Sequence, residues 1–295
     1  MLLLTSSLFD VLKPIPGKKI KYYDLFISQY TLVTTSTVVA QCNLMPEMFG
    51  ETTEVLDSHV DRFIAGIPDQ SKEIRETYGI YSRAAGVNPG IVAQESEARV
   101  FISSEFEAES KKYGMSNREL VISSLNASAF LQYFFLFENS LVKMYQSKYQ
   151  PREESQAKLS AKDVIAKCLK GKVMHDDVEE LFFKNLKKRS KFFENFSQLE
   201  SVWKLLNFIR NRQVHYGGKY EGRAPAAFEG HVERICESYR DAADMTLSVV
   251  LLLNVLEPLQ EQVRKHGYMV FNDSLENLMR NYSLFVMESL YLTEK

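Results

Sequence analysis

The spacing of apolar residues changes near residue 116 of the chain. Beyond this point apolar side chains recur every three or four positions, the period of a helix that buries one face. The segment Ser116-Asn117-Arg118-Glu119 matches a capping box, in which a Ser N-cap and a Glu three residues later bond each other's backbone N–H. The pattern therefore predicts helices over residues 116–145, 159–169, 173–193, 199–215, 228–266 with a kink at Pro258, and 273–292.

The first 115 residues lack a clean helical period. Tyr30–Val39 is rich in β-branched residues and predicts a strand, and Arg99–Ile102 predicts a second one. Residues 52–78 read as a helix, and the turn signal Gly86–Gly90 follows. We expect a mainly α protein with two domains, a mixed α/β unit over residues 1–115 and a helical bundle over residues 116–295.

Composition places the chain among ordinary globular proteins. Of its 295 residues 45% are hydrophobic and 25% are charged, which allows a full core. Cys42, Cys168 and Cys236 lie far apart, so neither a disulfide framework nor a Cys-based zinc site is expected. Met1–Ser7 lacks the basic start of a signal peptide, and the aliphatic run Leu247–Leu256 is too short to cross a bilayer. The expectation is a soluble cytoplasmic protein with no membrane partner.

Positive charge is concentrated in one part of the chain. The net charge is −2, yet residues 148–220 hold 16 basic and 9 acidic side chains. A local positive field attracts polyanions such as RNA. The alternative is a set of Lys-rich helices that are simply solvated.

The segment Leu205–Gly218 carries the strongest candidate chemistry. A hydrophobic helix face ends in Arg210-Asn211, and His215 follows just before two glycines. Asn211 and His215 are four residues apart and share a helix face, and Arg210 is long enough to reach the same helix end. A His can move a proton near neutral pH, and an Arg binds a phosphate through its guanidinium. RNA cleavage without a metal needs this pair of groups. The alternative is that both cations merely cap the negative end of the helix dipole.

Arg210-Asn211-Arg212-Gln213-Val214-His215 resembles the RNxxxH signature of the HEPN superfamily, and the resemblance covers roughly residues 116–295. It implies an all-helical, metal-independent endoribonuclease of the kind found in toxin–antitoxin, abortive-infection and CRISPR-associated systems. It also implies a homodimer in which two copies of Arg210 and His215 face each other, an RNA substrate, an antitoxin or regulatory protein as partner, and no cofactor. Some members of the superfamily only bind RNA or proteins, and a non-catalytic helical module is the alternative function.

Further residues are assigned to the same predicted site. The resemblance favours a polar residue on an earlier helix, and Glu138 is the candidate, either to orient His215 or to pair with Arg210. A plain solvent-facing Glu is the alternative. The helix before the motif helix is rich in basic residues, and we expect it to lie near the motif in space. For contacts with RNA phosphates we assign these residues together with one inside the motif: Lys184, Lys187, Lys188, Arg189, Lys191 and Arg212.

Other candidate motifs favour simpler explanations. His175-Asp176-Asp177 with Glu179-Glu180 has no zinc or magnesium spacing and is typical of an acidic first helical turn, so no metal site is predicted. Arg280-Asn281 repeats half of the motif, but Phe285 stands where the His belongs. No phosphate-binding loop, dinucleotide fingerprint or serine-hydrolase elbow is present.

Overall fold

The computed structural model of the chain describes residues 21–43, 111–149, 160–161, 164–165, 176–190, 192–193, 195–240 and 245–293. These residues are mainly helical, as predicted, and none of them forms a β-strand. The helices are α1 (Lys21–Asn43), α2 (Asn117–Tyr149), α3 (Asp176–Arg189), α4 (Phe196–Tyr216), α5 (Ala224–Ser238), α6 (Met245–His266) and α7 (Asp273–Tyr291).

Contacts divide the chain into two units, Met1–Thr37 with Ser123–Lys295, and Val38–Ile122. In the smaller unit the predicted capping box is confirmed, because the backbone N–H and hydroxyl of Ser116 both donate to Glu119 and the Glu119 N–H donates back to the Ser116 hydroxyl. The larger unit contains the helical bundle. It also includes residues 21–37, which the sequence analysis placed in the N-terminal unit.

The core of the bundle is built on the aromatic face of α2. Phe130, Phe134 and Phe137 are fully buried at helical spacing. Trp203 of α4 stacks on Phe134 at 4.8 Å between ring centroids, and Tyr282 of α7 meets Phe137 edge-on at 5.7 Å. By length and composition α2 is also the one helix among the described residues that could cross a bilayer. These aromatic residues instead fill the interior of the bundle.

The strand predicted over Tyr30–Val39 is wrong, because these residues lie in α1. Hydroxyl groups of Thr31, Thr34 and Thr37 donate to carbonyls four residues earlier at 2.8–2.9 Å, which suits β-branched Thr to a helix. Tertiary contact adds to this, because Phe26 and Tyr30 are buried one helical turn apart. The predicted strand Arg99–Ile102, the helix over residues 52–78 and the turn Gly86–Gly90 lie outside the described residues.

The single helix predicted over residues 228–266 is also wrong, because α5 ends at Ser238 and α6 begins at Met245. The N–H groups of Tyr239 and Arg240 turn back to carbonyls only three residues earlier, which tightens the last turn and ends the helix. Tyr239 is buried and donates its hydroxyl to the Phe192 carbonyl, so it holds this end in place. Helix α6 continues through Pro258.

The remaining helix predictions differ from the structure at their ends. Helix α3 stops at Arg189, and buried Phe192 and Phe193 follow it, although the prediction continued to residue 193. Helix α4 begins three residues early, because Asn195 caps it by accepting a hydrogen bond from the Gln198 N–H. Of the predicted helix 159–169 only residues 160–161 and 164–165 are described.

Candidate functional site

The motif residues lie at the C-terminal end of α4, and two glycines end this helix. Gly217 and Gly218 have φ of 57° and 77°, the left-handed region that favours glycine. Both N–H groups point back at the Arg212 carbonyl. A Cβ at position 218 would also lie 2.7 Å from the side-chain oxygen of Gln213. The helix therefore ends one residue after His215.

Arg210 is held on several sides. Its Nη2 donates to Glu138 Oε2 at 3.0 Å, and its Nη1 donates to Asn211 Oδ1 at 2.8 Å. The guanidinium carbon lies 4.8 Å above the centre of the Phe134 ring and 5.5 Å from that of Phe135, within cation–π range. Of the two roles considered for Glu138, pairing with Arg210 is the one that the structure contains. The guanidinium is thus fixed in orientation between α2 and α4.

His215 has very different surroundings. It is exposed and makes no hydrogen bond or ion pair within the described part of the chain. Asn211 lies one turn before it on the same face of α4, half-buried beside Arg210. An exposed imidazole at a helix end is open to an incoming ligand. Asn211, which shares its helix face, accepts a hydrogen bond from the fixed guanidinium of Arg210.

Arg212, predicted to contact RNA, packs instead on its own helix end. Its guanidinium carbon lies 4.0 Å from the centre of the Tyr216 ring, and its Nε donates to the Lys219 carbonyl at 2.9 Å. These contacts make it part of the turn after α4. Its contact with RNA stays a prediction.

The other predicted RNA-binding residues lie on α3. Lys184, Lys187 and Lys188 are exposed at positions three or four apart, so they share one face of the helix. The opposite face packs against α7, whereas α4 packs against α5. The side chains of Arg189 and Lys191 lie outside the described residues. The nearness of these lysines to the motif stays a prediction.

Phe134 was not assigned to the site from the sequence, although its position signals the contact. Phe134 precedes Glu138 by four residues, so the ring beneath Arg210 and the carboxylate beside it share one face of α2. From the sequence, the aromatic run indicates a buried core or a subunit interface, and neither interpretation places a ring beneath Arg210. No three His, Cys, Asp or Glu side chains gather into a metal-ligand set among the described residues.

Comparison with protein-family models, with characterised proteins and with solved structures finds no match to the chain. What can be inferred about function therefore comes from the motif Arg210–His215 and the residues around it.

Proposed function

We propose that the bundle is a HEPN-type, metal-independent endoribonuclease with Arg210, Asn211, His215 and Glu138 as its active site. The observation that supports the proposal is the contrast within the motif. Arg210 is fixed by Glu138, Asn211 and the Phe134 ring, and His215, five residues later on the same helix, is exposed. A fixed cation stabilises developing charge without reorganising, and an exposed imidazole exchanges protons freely.

In the proposed reaction, His215 removes the proton from a ribose 2′-hydroxyl. The 2′-oxygen attacks the adjacent phosphorus while the bond to the 5′-oxygen breaks, and Arg210 stabilises the negative charge on the phosphorane. A second acid returns a proton to the leaving 5′-oxygen. In a homodimer that acid is the other copy of His215. The products are a 2′,3′-cyclic phosphate and a free 5′-hydroxyl, so no metal-bound water takes part.

The setting that we propose is cytoplasmic, in microbial defence or growth control, with an antitoxin or regulatory protein as partner. A separate N-terminal mixed α/β unit before residue 116 also stays a proposal, now without residues 21–37. The basic residues of α3, with Arg189, Lys191 and Arg212, are proposed to guide RNA to the site.

Purified chain incubated with single-stranded RNA in excess EDTA tests the function. We expect cleavage, products that end in cyclic phosphate, and loss of cleavage in His215→Ala. Activity that disappears in EDTA and returns with Mg²⁺ would contradict the mechanism. Binding of RNA with no cleavage under any condition would favour the non-catalytic module.

A further inference from the structure

A polar cavity lies between α4 and α5, outside the motif. Its volume is about 260 Å³. One water occupies ~30 Å³ of liquid, so the space exceeds what a single ion fills. The lining includes Glu200, Lys204, His231, Arg234 and Glu237, with serines between them and no aliphatic side chain. A cavity of this composition adds little to packing.

Several bonding groups in this cavity have no partner. The Nδ1 atom of His231 is buried without a hydrogen bond, and the side chains of Arg234 and Glu237 make none within the described residues. Lys204 is paired with Glu200 at 3.0 Å. Burial lowers the pKa of His231, and the charges of Arg234 and Lys204 lower it further. Buried polar atoms are almost always satisfied in folded proteins, so the unpaired Nδ1 of His231 indicates a polar ligand. The exposed side chains of Arg234 and Glu237 line the same cavity and offer such a ligand a donor and an acceptor.

The cavity and the motif share one stripe of α4. At 100° per residue, Ser197, Lys204, Asn211 and His215 lie within about 40° of one another around the helix. Lys204 precedes Asn211 by two turns, which is about 10 Å along the axis. A single RNA strand bound at the motif and following this stripe reaches the cavity within a few nucleotides.

We propose that this cavity is a nucleotide subsite for the RNA strand. Arg234 and Lys204 bind the phosphate, and Glu237 accepts a hydrogen bond from an amino group of the base. A carboxylate pairs with the N4 amino group of cytosine and repels the O4 of uracil. Single-stranded RNA presents these base edges to proteins, because its bases are unpaired. The inference rests on the proposed ribonuclease function and adds a base preference to it.

Calorimetric titration of the full chain with CMP, UMP and inorganic phosphate tests the subsite. We expect CMP to bind about tenfold tighter than UMP, because one wrong base edge costs about this much. Arg234→Gln is expected to weaken CMP binding about tenfold, as loss of a charged hydrogen bond does. Arg264→Gln makes the same charge change at an exposed position of α6 and leaves affinity unchanged. Glu237→Ala removes the difference between CMP and UMP.

The subsite is overturned if CMP binds no tighter than phosphate, or if Arg234→Gln binds CMP as strongly as the parent chain. Arg234 is exposed and unbonded, so the variant is expected to fold. RNA cleavage assayed in parallel separates the two proposals. If nucleotide binding depends on Arg234 but the chain never cuts RNA, the subsite is supported and the nuclease function is rejected. If cleavage depends on His215 but CMP affinity does not change in Arg234→Gln, the nuclease function is supported and the subsite is rejected.

Discussion

Arg210 and His215 belong to one motif, but among the described residues only Arg210 is hydrogen-bonded to another helix of the fold. Arg210 joins α4 to α2 through Glu138 and lies over the Phe134 ring. His215 is exposed and unbonded among the described residues. A side chain with several partners contributes to stability as well as function, whereas one without partners reports on function alone.

Replacement of each residue by Ala is therefore expected to give different results. His215→Ala should lower RNA cleavage by about 10² to 10⁴, the usual contribution of a general acid or base, and leave stability within about 0.5 kcal/mol. Arg210→Ala should also lose cleavage, and should lower the free energy of unfolding by about 1 kcal/mol, because an ion pair and a cation–π contact disappear. Urea unfolding and a cleavage assay measure both effects.

His266→Ala at the exposed end of α6 is the control, with cleavage and stability both unchanged. If Arg210→Ala proves as stable as His215→Ala, the contacts around the guanidinium add nothing to the fold.

At the scale of helices, sequence patterns were most informative where local chemistry determines structure. The capping box at Ser116 and the glycine stop after His215 both form as predicted, because each depends on residues only a few positions apart. Helix α1 was missed, since burial of Phe26 and Tyr30 outweighs the strand preference of its Thr and Val residues.

The break between α5 and α6 was missed for a related reason. It depends on Tyr239, whose hydroxyl reaches the carbonyl of Phe192, 47 residues earlier. The pairing of Glu138 with Arg210 spans 72 residues and was anticipated only as one of two options. Contacts across such distances leave no periodic signal, and the α4–α5 cavity was missed because it also depends on tertiary packing.

Replacing a glycine by alanine is expected to have opposite effects on stability in the turn after α4 and within α5. Gly218→Ala should destabilise the protein by about 1–2 kcal/mol, because φ is 77° and the new Cβ would meet Gln213. Gly230→Ala within α5 has open space around its Cβ and should stabilise by about 0.5–1 kcal/mol. Thermal unfolding compares the two. The same sign for both changes would mean that the turn is not formed as described.

The lysine face of α3 gives a prediction about salt. If Lys184, Lys187 and Lys188 contact RNA phosphates, changing all three to Gln should reduce the slope of log affinity against log salt by about 2, since each contact with a single strand contributes about 0.7. Affinity should fall alike for all RNA sequences. Arg264→Gln with Lys265→Gln on α6 is the matched control. An unchanged slope in the α3 variant would show that this face is only solvated.

At the scale of the whole molecule, α7 lies in the centre of the bundle. Every residue from Asn281 to Leu290 is buried. A charged side chain is enclosed with it: Glu276 is only 2% exposed, and it interacts electrostatically with Arg280, Asp273, Tyr30 and Tyr133. Burial raises the pKa of Glu276 to about 7.

This carboxyl predicts how stability changes with pH. Its folded pKa lies above its ordinary value of 4.5, so the folded state keeps a proton that the unfolded chain has lost. Its contribution to stability is therefore full below pH 4.5 and declines until about pH 7, by on the order of 3 kcal/mol in total. Glu276→Gln should remove this decline. Urea unfolding of both proteins at pH 5 and pH 8 measures it, and parallel pH profiles would refute it.

The proposed homodimer needs a surface that the chain itself leaves open. In the sequence, the apolar runs Phe130–Phe137 and Leu247–Leu256 exceed what one small bundle easily buries and suggest such a surface, but Phe130, Phe134 and Phe137 are buried within the chain. Exposed apolar side chains occur on α1, at Phe135 and Val250 within these two runs, and on either side of His215 at Val214 and Tyr216. Exposed apolar side chains around the proposed catalytic His215 suit an isologous interface with a shared site.

A mixed dimer tests the shared site. One wild-type chain paired with one His215→Ala chain should have well below half of the wild-type activity, because base and acid come from different copies. Tyr216→Asp should weaken association, since a charge enters the apolar contact. A fully active monomer in analytical ultracentrifugation at micromolar concentration would reject the shared site and leave the motif assignment intact.

The central position of α7 has a consequence for how the protein is made. Ribosomes release a chain from its N-terminus, so α1, α2 and α4 emerge long before residues 273–291. Until then Tyr23, Phe137 and Trp203 lack the partners Tyr291 and Tyr282 that α7 brings. The aromatic core of the bundle therefore stays open during synthesis, and it closes only after residues 273–291 have left the ribosome.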